Sequence, residues 1–239
     1  MNLKEAKALV TGGSDGYGRG IAETLKKAGA EVWITGRNPD KLTRTAAELG
    51  LHPVQADAAS GRDWDRVMET VGDLDILVNN AGSGGHIAPL SEQSDEDITD
   101  TINTNLTGAI LGCRRAAKIM AKRHGGIIVN ISSVCALYAW PGWSVYTAAK
   151  AGLSKFSHGL YTELRPYGVR VTCLTPSWGQ TAFNVAANIS GAAEDAQLKH
   201  KCISPYDLGK LVREIIAMPD HLAIPDITIQ PMIQDISPM

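Results

Sequence analysis

The chain has 239 residues, of which 44% are hydrophobic and 20% charged, and its formal net charge is −2. This composition is that of an ordinary globular protein, and it offers no basic surface for nucleic acid or an anionic membrane. Four cysteines and six histidines are scattered without metal-binding spacing, so we expect free thiols and no metal site. No apolar run approaches the roughly 18 residues of a membrane span, and the charged N-terminus does not resemble a secretory signal. We therefore expect a cytoplasmic protein.

Short runs rich in β-branched residues alternate with helical patterns along the whole chain. The predicted strands are KALVT (7–11), AEVWIT (30–35), HPVQAD (52–57), LDILVNN (74–80), GIIVNIS (126–132), VRVTCLT (169–175) and DITIQP (226–231). The predicted helices cover residues 16–28, 39–49, 63–71, 95–122, 144–165 and 205–217. This alternation predicts an α/β fold with a doubly wound, parallel seven-stranded sheet and helices on both faces, a Rossmann-type architecture.

No linker, repeat or low-complexity tract interrupts this alternation, so residues 1–239 are predicted to form a single domain. The longest irregular segment, at about 177–203, follows the carboxyl end of a predicted strand. Open α/β sheets bind their ligands at that edge, and long loops in compact domains are commonly functional. We therefore expect this segment to form a lid over a substrate.

The segment TGGSDGYG, residues 11–18, leads from the first strand into the first helix. Gly12, Gly16 and Gly18 permit a tight turn, close approach of the backbone to a pyrophosphate, and close packing of the helix, whose N-terminal amides face the anion. The loop therefore indicates a nucleotide-binding site. Asp15 lies within the loop, and we expect its carboxylate to point toward the adenosine side or solvent.

Three further segments stand at defined places relative to the strands. NNAG (79–82) follows the fourth strand, NISS (130–133) follows the fifth, and YTAAK supplies Tyr146 and Lys150 on one face of a helix. Together with the glycine loop, and in this order, these segments resemble the single-domain branch of the short-chain dehydrogenase/reductase family. The resemblance covers residues 6 to about 181.

The resemblance implies a nicotinamide dinucleotide cofactor and a set of residues that hold it. Asp57 is implied to contact the adenine and Thr181 the nicotinamide carboxamide. Ser177 departs from the family pattern, which usually has a glycine after Pro176, but this change removes no catalytic group. The implied cofactor-binding residues are Gly12, Ser14, Asp15, Gly16, Tyr17, Gly18, Arg37, Asp57, Ala58, Asn79, Ala81, Gly82, Tyr146, Lys150, Pro176 and Thr181.

The resemblance also implies hydride transfer assisted by Asn105, Ser133, Tyr146 and Lys150. A tyrosine exchanges a proton with substrate near neutral pH only if its pKa is brought down from about 10, and we expect the Lys150 cation to lower it. Ser133 is implied to donate to the substrate oxygen, and Asn105 to position a water that relays protons to the lysine.

Each of these residues also has a purely structural interpretation. Tyr146 and Lys150 could be a helix-surface pair, Ser133 a strand-end hydroxyl bonded to backbone, and Asn105 a solvent-facing helix residue. Their joint occurrence behind a glycine loop favours the catalytic interpretation, because the structural one needs an independent coincidence at each position.

The end of the second predicted strand bears on the choice of cofactor. NAD-binding proteins carry an acidic residue there for the ribose hydroxyls, whereas this chain has Gly36 followed by Arg37. That favours NADP(H), with NAD(H) as the alternative. Asp15 argues for NAD(H), because its charge would repel a 2′-phosphate, and we expect it to pair with Arg37 when that phosphate is absent.

The substrate is predicted from aromatic residues in segments that the family folds around it. Their rings suit an apolar or ring-containing ketone or a polyol, although core or subunit packing would also explain them. A basic run at 199–201 could attract an acidic substrate or lie in solvent. We predict interconversion of an alcohol with a ketone or aldehyde, on a small or apolar carbonyl or hydroxy compound. The aromatic residues are Tyr138, Trp140, Trp143, Trp178 and Phe183.

Two alternative functions remain open. The C-terminal sequence ITIQPMIQDISPM differs from the glycine-rich tail of the 3-oxoacyl carrier-protein reductases. Reduction of a 3-oxoacyl thioester is therefore ranked second, as the alternative activity. A cofactor-sensing protein without chemistry is less expected, because Ser133, Tyr146 and Lys150 are all present. The family commonly forms homodimers or homotetramers through the predicted helices at 95–122 and 144–165, and we expect the same here.

Overall fold

A computed structural model describes residues 1–187, 195 and 197–234. Its strands are β1 (Lys7–Thr11), β2 (Glu31–Gly36), β3 (His52–Gln55), β4 (Ile76–Asn79), β5 (Gly126–Ile131), β6 (Val169–Pro176) and β7 (Asp226–Ile229). All neighbouring strands are parallel, and they form one seven-stranded sheet in the order β3-β2-β1-β4-β5-β6-β7. The predicted fold class is confirmed.

Helices cover both faces of this sheet. They are α1 (Gly16–Lys27), α2 (Pro39–Leu49), α3 (Gly61–Val71), α4 (Asp95–Ile102), α5 (Gly108–Arg123), α6 (Ser144–Leu164), α7 (Phe183–Ala186) and α8 (Pro205–Ala217). Side chains set several of the starts: the Ser94 hydroxyl and the Asp97 carboxylate cap α4 reciprocally, and Ser204 caps α8 ahead of Pro205. Within the described residues, no helix combines the length and apolarity that crossing a bilayer requires.

Two apolar cores lie on opposite faces of the sheet. Successive strand side chains alternate between faces, so Val10 packs with α1, α2 and α8, whereas Leu9 packs with α3, α5 and α6. In the first core Leu25 and Val212 are fully buried, and in the second Met120 is. A parallel sheet covered on both faces directs ligands to the carboxyl ends of its strands.

The long helix predicted at 95–122 is interrupted, which the sequence pattern did not indicate. α4 ends at Ile102, a π-helical turn spans Asn103–Thr107, and α5 begins at Gly108. The turn buries Asn105, whose amide nitrogen donates to the carbonyls of Thr101 (2.9 Å) and Ser83 (2.8 Å). The hydrogen bond to Ser83 therefore ties the widened turn to the loop after β4. π-helical turns inside α-helices frequently occur at functional sites.

The predicted lid segment is described only in part. α7 and a short 3₁₀ turn at Lys199–Lys201 lie in it, and Gly179 forms a parallel bridge with Ile203 that joins its two ends. Residues 188–194 and 196, which belong to the same prediction, lie outside the described residues.

Candidate active site

A cavity of about 660 Å³ opens above the carboxyl ends of the strands. Its wall runs from the loops after β3 and β2, across β1 and β4, to the segments after β5 and β6. The strand order reverses between β1 and β4, and such a switch point is where doubly wound sheets bind ligands. The predicted site residues that line it are Gly12, Ser14, Asp15, Gly16, Tyr17, Arg37, Asp57, Ala58, Ala81, Gly82, Ser133, Tyr146, Lys150, Pro176 and Thr181.

The glycine loop leaves backbone where side chains would otherwise stand. Gly12 has φ +63°, and a Cβ there would lie 3.0 Å from the Cα of Ala81. A Cβ on Gly18 would lie 2.2 Å from the carbonyl oxygen of Gly12. α1 therefore packs tightly under the loop with its N-terminus toward the cavity, an arrangement that fits a dinucleotide pyrophosphate.

Three predicted residues do not reach the cavity wall. Gly18 packs beneath the loop, as its contact with Gly12 shows. Asn79 is buried in the core and donates to the Asn130 side chain at 2.9 Å, so the predicted cofactor contact is not supported by its position. Asn80 lines the cavity in its place, and its amide donates to the carbonyl of Thr11 at 3.0 Å.

Asn105 is the third of these residues and lies behind Gly82. Its side-chain oxygen accepts from the amide of Ser83 at 3.2 Å. A Cβ built on Gly82 would lie 2.7 Å from that oxygen and 3.4 Å from the Lys150 ammonium. Only a glycine at position 82 leaves free the narrow space between the Asn105 side-chain amide and the Lys150 ammonium.

Ser133, Tyr146 and Lys150 come together at one place in the cavity wall. Tyr146 and Lys150 lie on successive turns of α6, and the Ser133 hydroxyl lies near enough to the Tyr146 phenol to lower its pKa. The Lys150 ammonium lies 5.8 Å from the centre of the Tyr146 ring and donates to the carbonyl of Ile131 at 3.0 Å. Residues from the segment after β5 and from α6 therefore bring the Ser133 and Tyr146 hydroxyls into the same part of the wall.

The pKa expected for Tyr146 is wrong for this structure. Burial raises the pKa of the phenol above its ordinary value, the nearby Cys135 raises it further, and the Ser133 hydroxyl only partly opposes this. Burial also lowers the pKa of Lys150 to about 8. The lysine directs its ammonium at a backbone carbonyl, so the expected depression of the tyrosine pKa does not occur.

Asp15 pairs with Lys41 and not, as expected, with Arg37. One carboxylate oxygen accepts from the amide of Gly16 at 2.7 Å, and the other forms a salt bridge with Lys41 near the start of α2. Burial alone would raise the pKa of Asp15, but the Lys41 contact and the Gly16 amide outweigh it and the pKa is lowered. Arg37 is exposed and lines the cavity, and its carbonyl accepts from Gln55.

Aromatic rings form the wall beside Tyr146. The ring centres of Trp143 and Phe183 lie 5.6 and 5.5 Å from that of Tyr146, and Trp143 and Phe183 stack at 6.3 Å. Trp140 and Trp178 also line the cavity. Tyr138 does not line it but packs edge-on against Trp140 at 6.3 Å. The predicted basic run at 199–201 is likewise absent from the described wall.

Sequence reasoning missed Gln234, which comes from the segment after β7. Gln234 is 7% exposed and lines the cavity, and its side-chain oxygen accepts hydrogen bonds from the Ser177 hydroxyl and from the Trp178 amide (3.4 Å). The only signal was Ser177, already noted as a departure from the family pattern. A glycine there would offer no hydroxyl to hold this segment.

A parallel sheet of the dinucleotide-binding type, with a Ser–Tyr–Lys cluster in the cavity at its carboxyl edge, is the arrangement of a class of dehydrogenases and reductases. A family model for short chain dehydrogenases matches residues 6–190, so this chain belongs to the short-chain dehydrogenase family of oxidoreductases. The family assigned from the motifs is thereby confirmed.

Serine dehydrogenases are among the similar proteins. Serine 3-dehydrogenase of Agrobacterium fabrum is 32% identical over 235 residues, which cover 95% of this chain and 94% of the relative. A solved serine dehydrogenase from Escherichia coli superposes with a TM-score of 0.83 at 29% identity, over 96% of this chain and 100% of that chain. The closed form of a serine dehydrogenase complexed with NADP⁺ gives a TM-score of 0.89 at 29% identity, covering 98% of each chain.

Proposed function

We propose that this chain is an NADP(H)-preferring oxidoreductase that interconverts an alcohol with a ketone or aldehyde, on a small or apolar carbonyl or hydroxy compound. The meeting of Ser133, Tyr146 and Lys150 in a cavity that also contains the glycine loop carries this proposal. A bound nicotinamide would supply or accept the hydride, which leaves the protein to bind the substrate and move a proton on its oxygen.

The proton is moved by Tyr146. The phenol is neutral at physiological pH, and despite its raised pKa it can donate to the oxygen of a carbonyl substrate in the reduction direction, because that oxygen becomes strongly basic as hydride is added. Ser133 donates to the same oxygen and stabilises its developing charge. Lys150, with a pKa of about 8, is mostly protonated at neutral pH and is the group from which the remaining phenolate regains a proton.

Asn105 acts as a positioning residue in this proposal. Its side chain is held by Ser83 and Thr101 and lies beside the space between Gly82 and Lys150. An amide fixed there is suited to orienting a water that returns protons to the lysine. The hydrogen bonds of Asn105 to Ser83 and Thr101 explain why the helix opens into a π-helical turn at this point.

The preference for NADP(H) is supported by the wall near β2. Gly36 ends that strand without a carboxylate for the ribose hydroxyls, and Arg37 faces the cavity. The carboxylate of Asp15 is neutralised by Lys41, so its repulsion of a 2′-phosphate is reduced. Structures of similar proteins contain NADP⁺ or NADP.

A homodimer or homotetramer through α5 and α6 is part of the same proposal. Two small residues of α6 pack within the chain: Ala149 is fully buried, and Gly152 faces Leu106 of the π-helical turn. Ala148 is exposed and Ala151 half-buried, so they remain available for close helix contact.

A substrate panel tests the proposal, with NADPH or NADH for carbonyl compounds and with NADP⁺ or NAD⁺ for hydroxy compounds. The panel contains free ketones, aldehydes and acetoacetyl thioester, with hydroxy acids including serine assayed in the oxidation direction. We expect turnover of a free carbonyl or hydroxy compound, a higher kcat/KM with NADPH than with NADH, and a loss of at least about a hundredfold in Tyr146→Phe. Preference for the thioester would favour the alternative activity, and no turnover in any assay would favour a sensing role.

A further inference from the structure

Three of the four charged side chains in the described cavity wall lie away from its aromatic part, and the fourth, Lys150, lies beside Tyr146. Four of the described lining residues are charged: Asp15, Arg37, Asp57 and Lys150. The first three belong to the loops after β1, β2 and β3, at the other end of the strand order from β6, and Lys150 is bonded to the Ile131 carbonyl. The segments outside the described residues, 188–194, 196 and 235–239, contain no lysine or arginine.

The aromatic wall, Trp140, Trp143, Trp178 and Phe183, therefore has Lys150 as the one cation near it among the described lining residues, and that ammonium donates to the Ile131 carbonyl. A carboxylate buried against this wall away from Lys150 would lose its hydration without gaining a cationic partner, which is costly. A neutral polar group loses less, provided that one hydrogen-bond donor meets it.

Gln234 supplies such a donor, and its orientation follows from its partners. The amide of Trp178 can only donate, so the oxygen of the Gln234 side chain must face it, and the Ser177 hydroxyl donates to the same oxygen. The amide nitrogen of Gln234 has no hydrogen-bond partner among the described residues. It is also not one of their fully buried polar atoms that lack a partner, so it is at least partly accessible. Gln234 lines the cavity next to Trp178, so this nitrogen is available to donate a hydrogen bond to a molecule bound there.

We propose that Gln234 is a specificity-determining residue whose amide nitrogen donates to an uncharged oxygen of the substrate, such as a second carbonyl or an ester oxygen. The substrate is then a neutral carbonyl compound whose apolar part lies on the aromatic wall, and free carboxylates are poor substrates. This inference rests on the proposed oxidoreductase function. Ser177 has a supporting role, because its hydroxyl holds the Gln234 oxygen in place.

Three matched substrates test the inference: ethyl 3-oxobutanoate, 2-heptanone, which is similar in size but lacks the ester oxygens, and the free acid 3-oxobutanoate. We expect the wild-type kcat/KM for the ester to exceed that for the acid by at least about tenfold. In Gln234→Leu, which keeps the side-chain size, the ratio of kcat/KM for the ester to that for 2-heptanone should fall about three- to tenfold.

Two further variants separate recognition from folding. Gln234→Glu keeps an oxygen for Ser177 and Trp178 but removes the donor, so the ester-to-ketone ratio should fall at least as far as in Gln234→Leu. Met232→Ala, a fully exposed position on the same segment, should keep the wild-type ratio. Thermal unfolding of each variant reports on stability separately.

The outcomes distinguish this inference from the function on which it rests. An unchanged ester-to-ketone ratio in Gln234→Leu, or a wild-type preference for the free acid, overturns the role of Gln234 while the oxidoreductase function stands. A wild-type protein that reduces none of the three compounds, nor any carbonyl of the wider panel, overturns both.

Discussion

Asp15 binds two partners at once: the amide of Gly16 at the start of α1 and the ammonium group of Lys41 on α2. The carboxylate is thus both a helix cap and one half of a salt bridge. A negative charge is tolerated in an anion-binding loop because the backbone amides face the anion while the side chain is neutralised from α2. The same pair makes Lys41 a candidate ligand for a 2′-phosphate.

Replacing Asp15 should change cofactor selectivity. Asp15→Asn keeps a capping oxygen but releases Lys41, and Asp15→Arg adds a cation, so both should raise the affinity for NADP⁺ relative to NAD⁺, by several-fold in the second case. Equilibrium titration with each cofactor measures this. Lys41→Ala is the matched control and should weaken NADP⁺ more than NAD⁺; equal selectivity in all three variants would place the pair outside the phosphate site.

Substitution of Gly18 should destabilise the fold and the cofactor site together. The added methyl of Gly18→Ala would stand 2.2 Å from the Gly12 carbonyl, so α1 must move away from the loop, at a cost of about 1–3 kcal/mol. Urea unfolding measures the loss, and NADP⁺ titration should show weaker binding. Gly125→Ala, where nothing lies within 4 Å of the new methyl, should change stability by less than about 0.5 kcal/mol.

Tyr146→Phe should separate chemistry from packing. The ring contacts with Trp143 and Phe183 are kept, so unfolding should be nearly unchanged, whereas kcat should fall about 10²- to 10⁴-fold because the proton donor is lost. Steady-state kinetics and a denaturation curve on the same preparation test both parts. A variant that retained wild-type kcat would refute the assignment of the phenol.

The pH dependence of stability should report on Lys150. Its pKa is about 8 in the folded chain against an ordinary 10.5, so between these values the unfolded chain binds more protons and stability rises with pH. Lys150→Met removes this dependence. The variant should be more stable than wild type at pH 7, by a margin that shrinks between pH 8 and 10.5.

Denaturation curves for both proteins at pH 7, 8, 9 and 10 measure that margin. Because the remaining titrating groups are common to the two proteins, the difference isolates Lys150. A margin that stayed constant over this range would mean that the lysine is not desolvated as the structure indicates.

Local patterns were sufficient to predict much of the fold. Each predicted strand is present, because a short run of apolar and β-branched residues bounded by turns is a pattern of neighbours in sequence. The four-residue spacing of Tyr146 and Lys150 likewise placed them together on one helix, and the glycine loop marked the anion end of the cavity. These are the features that short segments encode on their own.

Contacts between distant segments decided the rest. The helix opens at Asn103–Thr107 because Asn105 bonds to Ser83, and the Asp15 carboxylate meets Lys41 because α2 begins beside α1. Gln234 reaches the cavity through Ser177, 57 positions earlier in the chain. No local pattern encodes such pairings.

By itself, then, the sequence determined the succession of strands and helices along the chain, the glycine loop, and the pairing of Tyr146 with Lys150 on one helix, since each of these depends on residues a few positions apart. Only the tertiary structure decided which charges are neutralised, how far burial moves the Tyr146 and Lys150 pKa values, and which end of the chain completes the substrate wall. Burial and partner choice are properties of packed surfaces, and those surfaces exist only once the sheet and its helices have assembled.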